Sequence, residues 1–487
     1  MENSFNFSNE NRNQTRRTGV LIIGAGIAGL AAAKTLLDND YHDFIILEAQ
    51  SKPGGRIQSL HLTESTILEI GAQWIHGTKN PLYTLGKKYH LISEKRSQEG
   101  AGIYLRNDRY QYDPKLIMEV DQEVMRILTD CEQFYRSSIP YPKSVGEYLQ
   151  DRFEEYLSRC ENDNEEIQKL KRQIFNWHVR FQVIDNSCQS LNDLSAKLWG
   201  SYSLSIEQDH INVCNGYESI IKVLCNMLPK NVLQLGTCVT AIKWNSNTVF
   251  IDCKNGQKYE ADFVICTIPL GYLKRYHQKL FQPQLPKIMC DAIDKIGFWA
   301  INKIFLKFEQ KWWGNVQGFQ LTWNDFDVPK RQWYHDISGF DELPRCDLNI
   351  LIGWIGGKGA KIIEDIPEEE VGICCVKLLK KFTGLNVPNP ERVIRSKWLS
   401  NPYIYGAYCY HSVDCDEAQV SAETLSRPIL NENNVAVMTF AGEACHKTNF
   451  STTHGAYESG HNQANIALQK VLNNKNCSTG LTADNIL

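Results

Sequence analysis

The apolar positions near the start of the chain predict a strand, a helix and a second strand. An uncharged apolar run at residues 20–23 is followed by a helical pattern over 27–37 and by a second apolar run at 44–47. Short continuous apolar runs are typical of strands that are buried on both faces of a parallel sheet. Residues 18–50 are therefore predicted to form a β-α-β unit.

The pattern changes twice further along the chain. Residues 90–209 are charged and have helical periodicity, with helical segments predicted over 116–135 and 153–183. Strand patterns return after residue 210, and the last part ends in a closing helix predicted over about 455–472. The chain therefore looks like two domains whose segments alternate.

The composition excludes several classes of protein. With 487 residues, of which 43% are hydrophobic and 22% charged, the chain is long enough for two or three globular domains. A net charge of −4 disfavours nucleic acid as a partner and is compatible with a cationic ligand. No apolar run approaches the ~20 residues of a membrane span, so no membrane association is predicted. The sixteen cysteines are scattered without zinc spacing, and no metal site is predicted.

The two ends of the chain are polar. Residues 1–17 are rich in Asn and Ser and are predicted to be disordered, and residues 476–487 are predicted to be flexible. The first residues lack the apolar core of an export signal, and the last residues do not form a Ser-Lys-Leu type of address. A cytoplasmic location with reduced thiols is the resulting expectation.

Three glycines after the first predicted strand have the spacing of a dinucleotide-binding turn. Gly24 allows the sharp turn, Gly26 lets a pyrophosphate approach the backbone, and Gly29 lets the helix pack close to the sheet. The N–H groups at the helix start favour phosphate charge. Glu48 ends the second strand, where a carboxylate can accept hydrogen bonds from ribose hydroxyls. Shortly afterwards Arg56 follows a glycine pair and can bind a phosphate.

Five blocks of this sequence resemble the flavin-containing amine oxidase family, and within it the animal spermine oxidase and N-acetylpolyamine oxidase branch. The blocks lie in family order from residue 20 to 470, so the resemblance covers nearly the whole chain and is weakest over 90–209. They are residues 24–48 with 54–56, 71–77 (GAQWIHG), 264–274 (VICTIPLGYLK), 296–308 (IGFWAINKIFLKF), and 398–410 (WLSNPYIYGAYCY) followed by 440–460 (FAGEACHKTNFSTTHGAYESG).

The resemblance implies an α/β fold with two interleaved domains. A Rossmann-like FAD-binding domain of the glutathione-reductase type is expected from residues 18–90, 210–292 and 398–475. A mixed α+β substrate domain is expected from 91–209 and 293–397. The FAD is expected to be non-covalent, because Cys409 does not stand in the Ser-Gly-Gly-Cys-Tyr context of the enzymes that attach flavin.

The residues that the resemblance assigns to FAD come from all parts of the expected cofactor domain. They are Gly24, Ala25, Gly26, Ile27, Ala28, Gly29, Glu48, Gly55, Arg56, Gly71, Ala72, Gln73, Trp74, Val239, Trp398, Gly442, Glu443, Thr452 and Thr453.

Three residues are assigned to catalysis by the same resemblance. Lys303 resembles the family lysine that holds a water near flavin N5, and its apolar neighbours make it costly to bury without a polar partner. His76 would lie near the substrate amine, where a neutral imidazole can accept a hydrogen bond or a proton. Tyr408 would form an aromatic wall beside the flavin.

The substrate end of the site is less defined by the sequence. Thr452 replaces the second tyrosine of the monoamine oxidases, which suits a long, thin substrate. Asp185 and Ser187 are candidates to hold a distal ammonium group, although Asp185 is equally compatible with a solvated turn residue. Two departures from the family bear on the substrate pocket. Trp299 stands in place of a glycine and is expected to add bulk near the pocket, and Gln182 stands in place of a frequent glutamate.

The expected activity is FAD-dependent oxidation of a secondary amine in spermine, spermidine or an acetylated form. The products would be an aldehyde and a shorter amine, with dioxygen reduced to hydrogen peroxide. The expected partners are the polyamine and dioxygen, and the expected oligomeric state is a monomer. Three alternatives remain: a flavoprotein without oxidase activity, a histone-lysine demethylase that would need extra helical segments, and a nicotinamide-dependent dehydrogenase, which the blocks at 54–56 and 441–443 disfavour.

Overall fold

Two large β-sheets flanked by helices make up the fold. The computed structural model describes residues 15–63, 66–97, 99–203, 210–324, 331–343 and 349–479, with 473–479 described by backbone alone. Within these ranges one sheet has nine strands and the other has six. Of the predicted terminal segments 1–17 and 476–487, residues 1–14 and 480–487 lie outside the described residues.

The strands, in chain order, are β1 (Arg16–Ile23), β2 (Phe44–Leu47), β3 (Ser59–His61), β4 (Ile67–Glu69), β5 (Trp74–His76), β6 (Ile92–Ser97), β7 (Ile103–Arg106), β8 (His210–Val213), β9 (Leu233–Gln234), β10 (Val239–Lys243), β11 (Val249–Cys253), β12 (Lys258–Cys266), β13 (Phe281–Gln282), β14 (Gly297–Trp299), β15 (Asn302–Lys307), β16 (Gly318–Thr322), β17 (Ile337–Glu342), β18 (Ile350–Ile355), β19 (Arg392–Arg395), β20 (Tyr408–Tyr410), β21 (Ile429–Leu430) and β22 (Ala436–Phe440).

The α-helices are α1 (Ile27–Asp38), α2 (Pro81–Lys88), α3 (Pro114–Cys131), α4 (Gln133–Arg136), α5 (Val145–Arg159), α6 (Glu165–Asp185), α7 (Glu218–Asn226), α8 (Leu270–Leu280), α9 (Lys287–Lys295), α10 (Gly357–Ile362), α11 (Glu368–Thr383), α12 (Val413–Glu417), α13 (Ala422–Leu425) and α14 (Thr453–Thr479). The described helices include none with the length and apolarity needed to cross a membrane.

The nine-stranded sheet is built around β1. This strand lies between β2 and β12 and is parallel to both, which brings three carboxyl ends to one edge. The strand order is β13-β10-β11-β12-β1-β2-β9, and β22 and β21 branch from β12. Leu21 and Ile23 face one hydrophobic core while Val20 and Ile22 face the other, as the alternation of a doubly covered strand requires.

The six-stranded sheet has the order β19-β15-β18-β17-β16-β7 and is antiparallel except for the last pair. Ile304 and Leu306 of β15 pack into the core beneath α11. Phe305 lies on the opposite face with Trp74 and Ile184. Because side chains alternate along a strand, Lys303 shares the face of Phe305. A third, three-stranded sheet of order β5-β8-β6 lies beside this face.

Both predicted terminal boundaries need correction. Strand β1 begins at Arg16, inside the segment predicted to be disordered, because the long strand β12 offers pairing partners to Arg16 and Arg17. Arg17 also donates a hydrogen bond to Asp262 at 2.8 Å. At the other end α14 continues to Thr479, through part of the segment predicted to be flexible. No glycine or proline interrupts the sequence from 461 to 479, so nothing favours an earlier end.

The helical segment predicted over 153–183 is two helices, α5 and α6. The break falls at a polar turn, where the side chain of Asn164 accepts a hydrogen bond from the backbone of Ile167 and so caps α6. The division of the chain into domains at residues 90, 209, 292 and 397 stays a prediction.

A buried carboxylate, Glu364, joins the six-stranded sheet to the loop that carries Trp398. One of its oxygens accepts hydrogen bonds from Asn302 Nδ2 at 2.9 Å and from the backbone of Trp398 and Leu399 at 2.8 and 2.9 Å. The other accepts from the backbone of Ser400 at 2.7 Å. Since Glu364 is only 5% exposed, these donors replace the water that a carboxylate needs.

Replacing Glu364 with alanine should remove an acceptor from four N–H donors, of which those of Asn302 and Trp398 belong to buried residues. We expect the free energy of unfolding to fall by about 3–5 kcal/mol, measured by urea denaturation. The exposed neighbouring carboxylate Asp365 supplies the control, since Asp365→Ala should change stability by less than about 0.5 kcal/mol. Equal stability of the two variants would remove Glu364 from this structural role.

Candidate active site

A cavity of about 740 Å³ extends from the β1–α1 turn to the six-stranded sheet. Most of the residues assigned to a function from the sequence line it. They are Gly24, Gly26, Ile27, Ala28, Glu48, Gly55, Arg56, Gly71, Ala72, Gln73, Trp74, His76, Asp185, Val239, Lys303, Trp398, Tyr408, Gly442, Glu443, Thr452 and Thr453. Ala25, Gly29 and Ser187 are not part of the lining.

The β1–α1 turn has the geometry of a phosphate-binding turn. Gly24 adopts a φ of +107°, which strongly favours glycine. A Cβ on Gly29 would stand 2.0 Å from the carbonyl oxygen of Gly24, so only glycine allows the helix this close. The N-cap, Gly26, contributes no capping side chain to α1, and the first N–H groups of the helix remain for an anion.

Glu48 lies against this turn. Its two carboxylate oxygens accept hydrogen bonds from the backbone N–H groups of Ala25 at 2.7 Å and Gln50 at 2.9 Å. Burial raises its pKa, and these two hydrogen bonds oppose that rise. Ala25 therefore stabilises the turn by its hydrogen bond to Glu48, and it does not line the cavity. Binding of ribose hydroxyls by Glu48 stays a prediction.

Arg56 and Glu443 form an ion pair on the cavity wall. Nη1 of Arg56 donates to Glu443 and to the carbonyl oxygen of Ala407, both at 2.8 Å. The second oxygen of Glu443 accepts from the backbone of Cys409 and Ser451, each at 3.2 Å. This network fastens the early glycine loop to the last blocks of the chain. Only one guanidinium nitrogen is used in it, so other N–H groups remain for a phosphate.

The cavity has room for the implied cofactor at two glycines. An ideal Cβ at Gly26 or at Gly442 would meet no heavy atom within 4 Å, and both residues border the cavity. Val239, Trp398 and residues 71–74 line the same cavity. The free N–H groups, the guanidinium and this open backbone fit an extended dinucleotide such as FAD.

Thr452 and Thr453 lie where α14 begins. The hydroxyl of Thr452 donates to the carbonyl of Asn449 at 2.7 Å and accepts from the backbone of Gly455 at 3.0 Å, so it caps the helix. The hydroxyl of Thr453 lies 2.5 Å from that of Tyr217. Both hydroxyls are engaged within the protein, and the small Thr452 side chain leaves the cavity wall open.

Lys303 is 4% exposed and is held by the loop that follows β4. Its Nζ donates to the carbonyl oxygens of Glu69 and Gly71 at 2.8 and 2.7 Å and to Oε1 of Gln73 at 2.8 Å. Burial lowers its pKa to about 7, and the nearby carboxylates of Glu69 and Glu99 oppose that shift. The polar partners that the sequence assigned to a water are thus supplied by the protein itself, and the contact with flavin N5 stays a prediction.

His76 borders the same cavity as Lys303. Its backbone is fixed by Asn80, whose Nδ2 donates to the His76 carbonyl at 2.9 Å. Burial, together with the neighbouring His210 and His454, lowers the pKa of the ring to about 4. The imidazole is therefore neutral over the physiological range and can accept a proton.

Tyr408 stands as an aromatic wall. Its hydroxyl donates to the carbonyl oxygens of Ile184 and Asp185 at 3.2 and 3.1 Å, at the end of α6. Burial raises the pKa of the phenol well above its usual value, so the ring stays neutral. Its hydroxyl has a structural task, and the ring face is what it offers to a ligand.

Three carboxylates, Glu99, Asp185 and Asp341, line the cavity near one another, and Glu99 and Asp341 were not predicted. Burial raises the pKa of Asp185 to about 6 and that of Asp341 to about 7, the latter against hydrogen bonds from Gln320 and Gly100. Burial, Asp185 and Asp341 raise the pKa of Glu99 to about 8, opposed by Lys303. Such a cluster attracts a cation.

Two expectations for this end of the site are wrong. Ser187 is fully buried and does not line the cavity, because the chain turns inward after α6 through its φ of +46°. Trp299 does not add bulk to the pocket either. Its Nε1 donates to the carbonyl of Gly357 at 2.7 Å, and its ring packs against the helical core of α3, α5 and α6. Gln182 does line the cavity.

Of the two carboxylates that were not predicted, one has a signal in the sequence and the other has none. Asp341 follows the apolar residues of β17, and an acid on a buried strand is as telling as Lys303. Glu99 lies in a charged, irregular stretch and carries no such signal. His210 and His454 also line the cavity. No group of three or more potential ligand side chains among the described residues is arranged to hold a metal ion.

Comparisons with known proteins bear on the whole chain. The model of the family described as flavin containing amine oxidoreductase matches residues 27–468. The peroxisomal N(1)-acetyl-spermine/spermidine oxidase of Homo sapiens is 31% identical, over 92% of this chain and 94% of the relative. The probable polyamine oxidase 5 of Arabidopsis thaliana is 28% identical, over 93% of this chain and 98% of the relative.

A solved structure supports the fold. Wild-type putrescine oxidase bound to putrescine matches with a TM-score of 0.72 at 17% identity, over 94% of this chain and 100% of that chain. The expected α/β architecture, the family resemblance and FAD as the cofactor are confirmed. The chain belongs to the flavin-containing amine oxidoreductases.

Proposed function

We propose that this enzyme oxidises a secondary amine of spermine, spermidine or their acetylated forms to an aldehyde and a shorter amine. Dioxygen is the acceptor and hydrogen peroxide the second product. The observation that carries the proposal is the placement of Glu99, Asp185 and Asp341 in the same cavity as Lys303 and His76. A monoamine needs no carboxylates beyond the reacting centre, whereas a polyamine has further ammonium groups to bind.

The negative charge of the three carboxylates is only partly balanced by nearby positive charge. Lys303 is the one cation that acts on Glu99 among the groups that shift its pKa, while Asp185 and Asp341 both raise it. A bound ammonium group would relieve this repulsion and form charge-assisted hydrogen bonds. The carboxylates therefore favour a polycation over a neutral ligand of the same shape.

Aromatic side chains complete the substrate path. Trp74, Trp354, Phe181 and Tyr408 border the cavity beside the carboxylates. Their faces pack against methylene groups and tolerate ammonium groups. This combination of apolar faces and separate carboxylates suits a chain in which methylene segments alternate with charged nitrogens.

Each residue has its own role in the proposed reaction. When bound, FAD would supply the acceptor for the hydride from the carbon next to the reacting nitrogen. Neutral His76 takes the proton that the amine must lose before its lone pair can assist. Lys303 is held at Nζ by three acceptors and can hold or release a proton near neutral pH, since its pKa is lowered to about 7. The carboxylates position the distal ammonium, and Tyr408 limits the tilt of the substrate.

A location in the cytosol and a monomeric state are part of the proposal. The described cysteines carry free thiols, which supports a reducing compartment. The human relative is named a peroxisomal enzyme, so imaging of a tagged chain would decide between the two locations, and light scattering would give the mass in solution.

A peroxide-coupled assay tests the proposed reaction. We expect turnover with spermine, spermidine or N-acetylspermine and at least about 100-fold lower kcat/KM with benzylamine, because an arylalkyl monoamine has no group for the distal carboxylates. Equal kcat/KM for benzylamine and the polyamines would contradict the proposed substrate class. A yellow protein that no amine reduces would instead support a flavoprotein without oxidase activity.

Replacing Lys303 with methionine should slow flavin reduction or reoxidation by ~100-fold or more, because a positioned proton-transfer group is lost. Stopped-flow absorbance of the flavin separates the two half-reactions. Lys307→Met is the matched control, since Lys307 lies on the same strand and pairs with Glu391 near the surface. Near-normal half-reactions in a folded Lys303→Met enzyme would exclude Lys303 from catalysis.

The carboxylate cluster should make polyamine binding depend on pH. Carboxyl groups with pKa values of about 6, 7 and 8 ionise as the pH rises, so affinity for a non-oxidised polyamine analogue should increase from about pH 6 to 8. Flavin absorbance measures the dissociation constant across this range.

Glu99→Gln should weaken binding of this analogue by ~10-fold at about pH 8 and less at pH 6, where the native carboxyl is already protonated. Glu94→Gln, an exposed change on β6, is the control. A dissociation constant that is independent of pH in the native enzyme, or unaffected by Glu99→Gln at pH 8, would contradict the role of the cluster.

A further inference from the structure

A continuous row of rings connects Lys303 with His76. Nζ of Lys303 lies 4.8 Å from the ring centre of Trp354, and Trp354 lies 5.8 Å from Trp74. Trp74 stacks on His210 with centroids 4.5 Å apart and an interplanar angle of 8°. His210 then meets His76 edge to face at 5.4 Å and 84°. All five side chains border the cavity.

Strand register sets the positions of Trp74, His210 and His76 in this row. In the antiparallel pair of β5 and β8, His76 stands directly opposite His210, and Trp74 stands opposite Asn212. Trp74 and His76 are two residues apart, so their side chains share one face of the sheet. His210 is thus the direct neighbour of one and the diagonal neighbour of the other.

The titratable groups near His76 lie on the elements that pack against it. His210 of β8 and His454 of α14 are the titratable groups that act on its ring. The ring of His454 lies 6.5 Å away at 59°, and Glu458 opposes the lowering of its pKa by burial. On the next strand, Arg96 stands opposite Ile211, so its side chain lies on the other face from His210.

We propose that His210 is a positioning residue for His76. The proposal rests on the amine oxidation proposed above, in which His76 accepts the substrate proton. The imidazole of His210 is stacked flat on Trp74, and its edge contact fixes the plane of the His76 ring. The N–H bond of the substrate ammonium breaks, and the proton passes to a ring nitrogen of His76. That transfer requires the nitrogen to face the amine.

This role is distinct from direct contact with substrate. A ring at position 210 keeps both neighbours in place whether or not it can titrate, whereas a small side chain leaves His76 free to rotate. The contact with Trp74 also links the orientation of His76 to the loop that holds Lys303, because Gln73 precedes Trp74 and accepts a hydrogen bond from Lys303.

The kinetic test compares His210→Ala with His210→Phe in the holoenzyme. We expect His210→Ala to slow flavin reduction by ~10- to 100-fold, and His210→Phe to recover most of that loss because a phenyl ring preserves stack and edge contact. His42→Ala, at an exposed histidine, is the control. Flavin content and thermal unfolding show that each variant is folded. A native rate in His210→Ala, or no recovery in folded His210→Phe, would overturn the proposal.

A double-mutant cycle separates positioning from general damage. If His210 acts through His76, adding His210→Ala to His76→Ala should slow flavin reduction by less than ~3-fold further. Multiplicative losses would overturn the proposal. An unreduced flavin in the native enzyme with every polyamine would be a failure of the proposed function rather than of this inference.

A magnetic-resonance titration of His76 tests the inference without turnover, so it applies even if no polyamine reduces the flavin. In holoenzyme with ring-labelled histidine, the His76 signal, assigned by its absence in His76→Ala, should not titrate above about pH 5. In His210→Ala, loss of the neighbouring ring and entry of water should raise the pKa of His76 toward the ordinary value near 6.5. In His210→Phe the ring should stay neutral. Identical titration of His76 in native enzyme and His210→Ala would overturn the proposal.

Discussion

The buried side chain of Lys303 is the interaction on which the site depends. It projects from the six-stranded sheet and is held by three oxygens of residues 69–73. An ammonium group is expensive to bury, so the loop and the strand must meet in one arrangement that supplies all three acceptors. The adjacent Asn302 extends this joint, because it shares the carboxylate of Glu364 with residues 398–400. Two consecutive residues of one strand therefore fix two walls of the cofactor cavity.

The same lysine sets the charge balance of the substrate end. It opposes the rise in the pKa of Glu99, while Asp185 and Asp341 reinforce it. With one cation against three carboxyl groups whose pKa values are raised, the cavity keeps part of its negative charge neutralised by protons near neutral pH. In the proposed function a polyamine replaces those protons with ammonium groups, so binding is a proton exchange as well as a contact. Electrostatics thus selects for charge number, and the aromatic walls select for a narrow chain.

The sequence predicts well what depends on neighbouring residues. The turn at Gly24 and the acid at Glu48 follow from local patterns, and Lys303 follows from the family resemblance. The structure has the predicted strand–turn–helix at Gly24 and buries Lys303. Glu99 was missed because its meeting with Asp341 depends on tertiary packing, and a charged irregular stretch gives no sign of burial. Ser187 was misplaced because a left-handed residue turns the chain inward two positions after Asp185. The size of Trp299 predicts bulk at the pocket, whereas its hydrogen bond to Gly357 directs the side chain into another core.

The partners in the ring row come from two different sheets, and this explains why pattern alone could not find them. Lys303 stands opposite Trp354 in the six-stranded sheet, and His76 stands opposite His210 in the three-stranded sheet. Each register is fixed by the apolar face that its own sheet buries, and the contact of Trp74 with Trp354 joins the two. A slip of one residue in either sheet would move one of these catalytic candidates to the opposite face. The distance between Lys303 and His76 is therefore a property of two strand registers and one indole contact, rather than of the loops around the cavity.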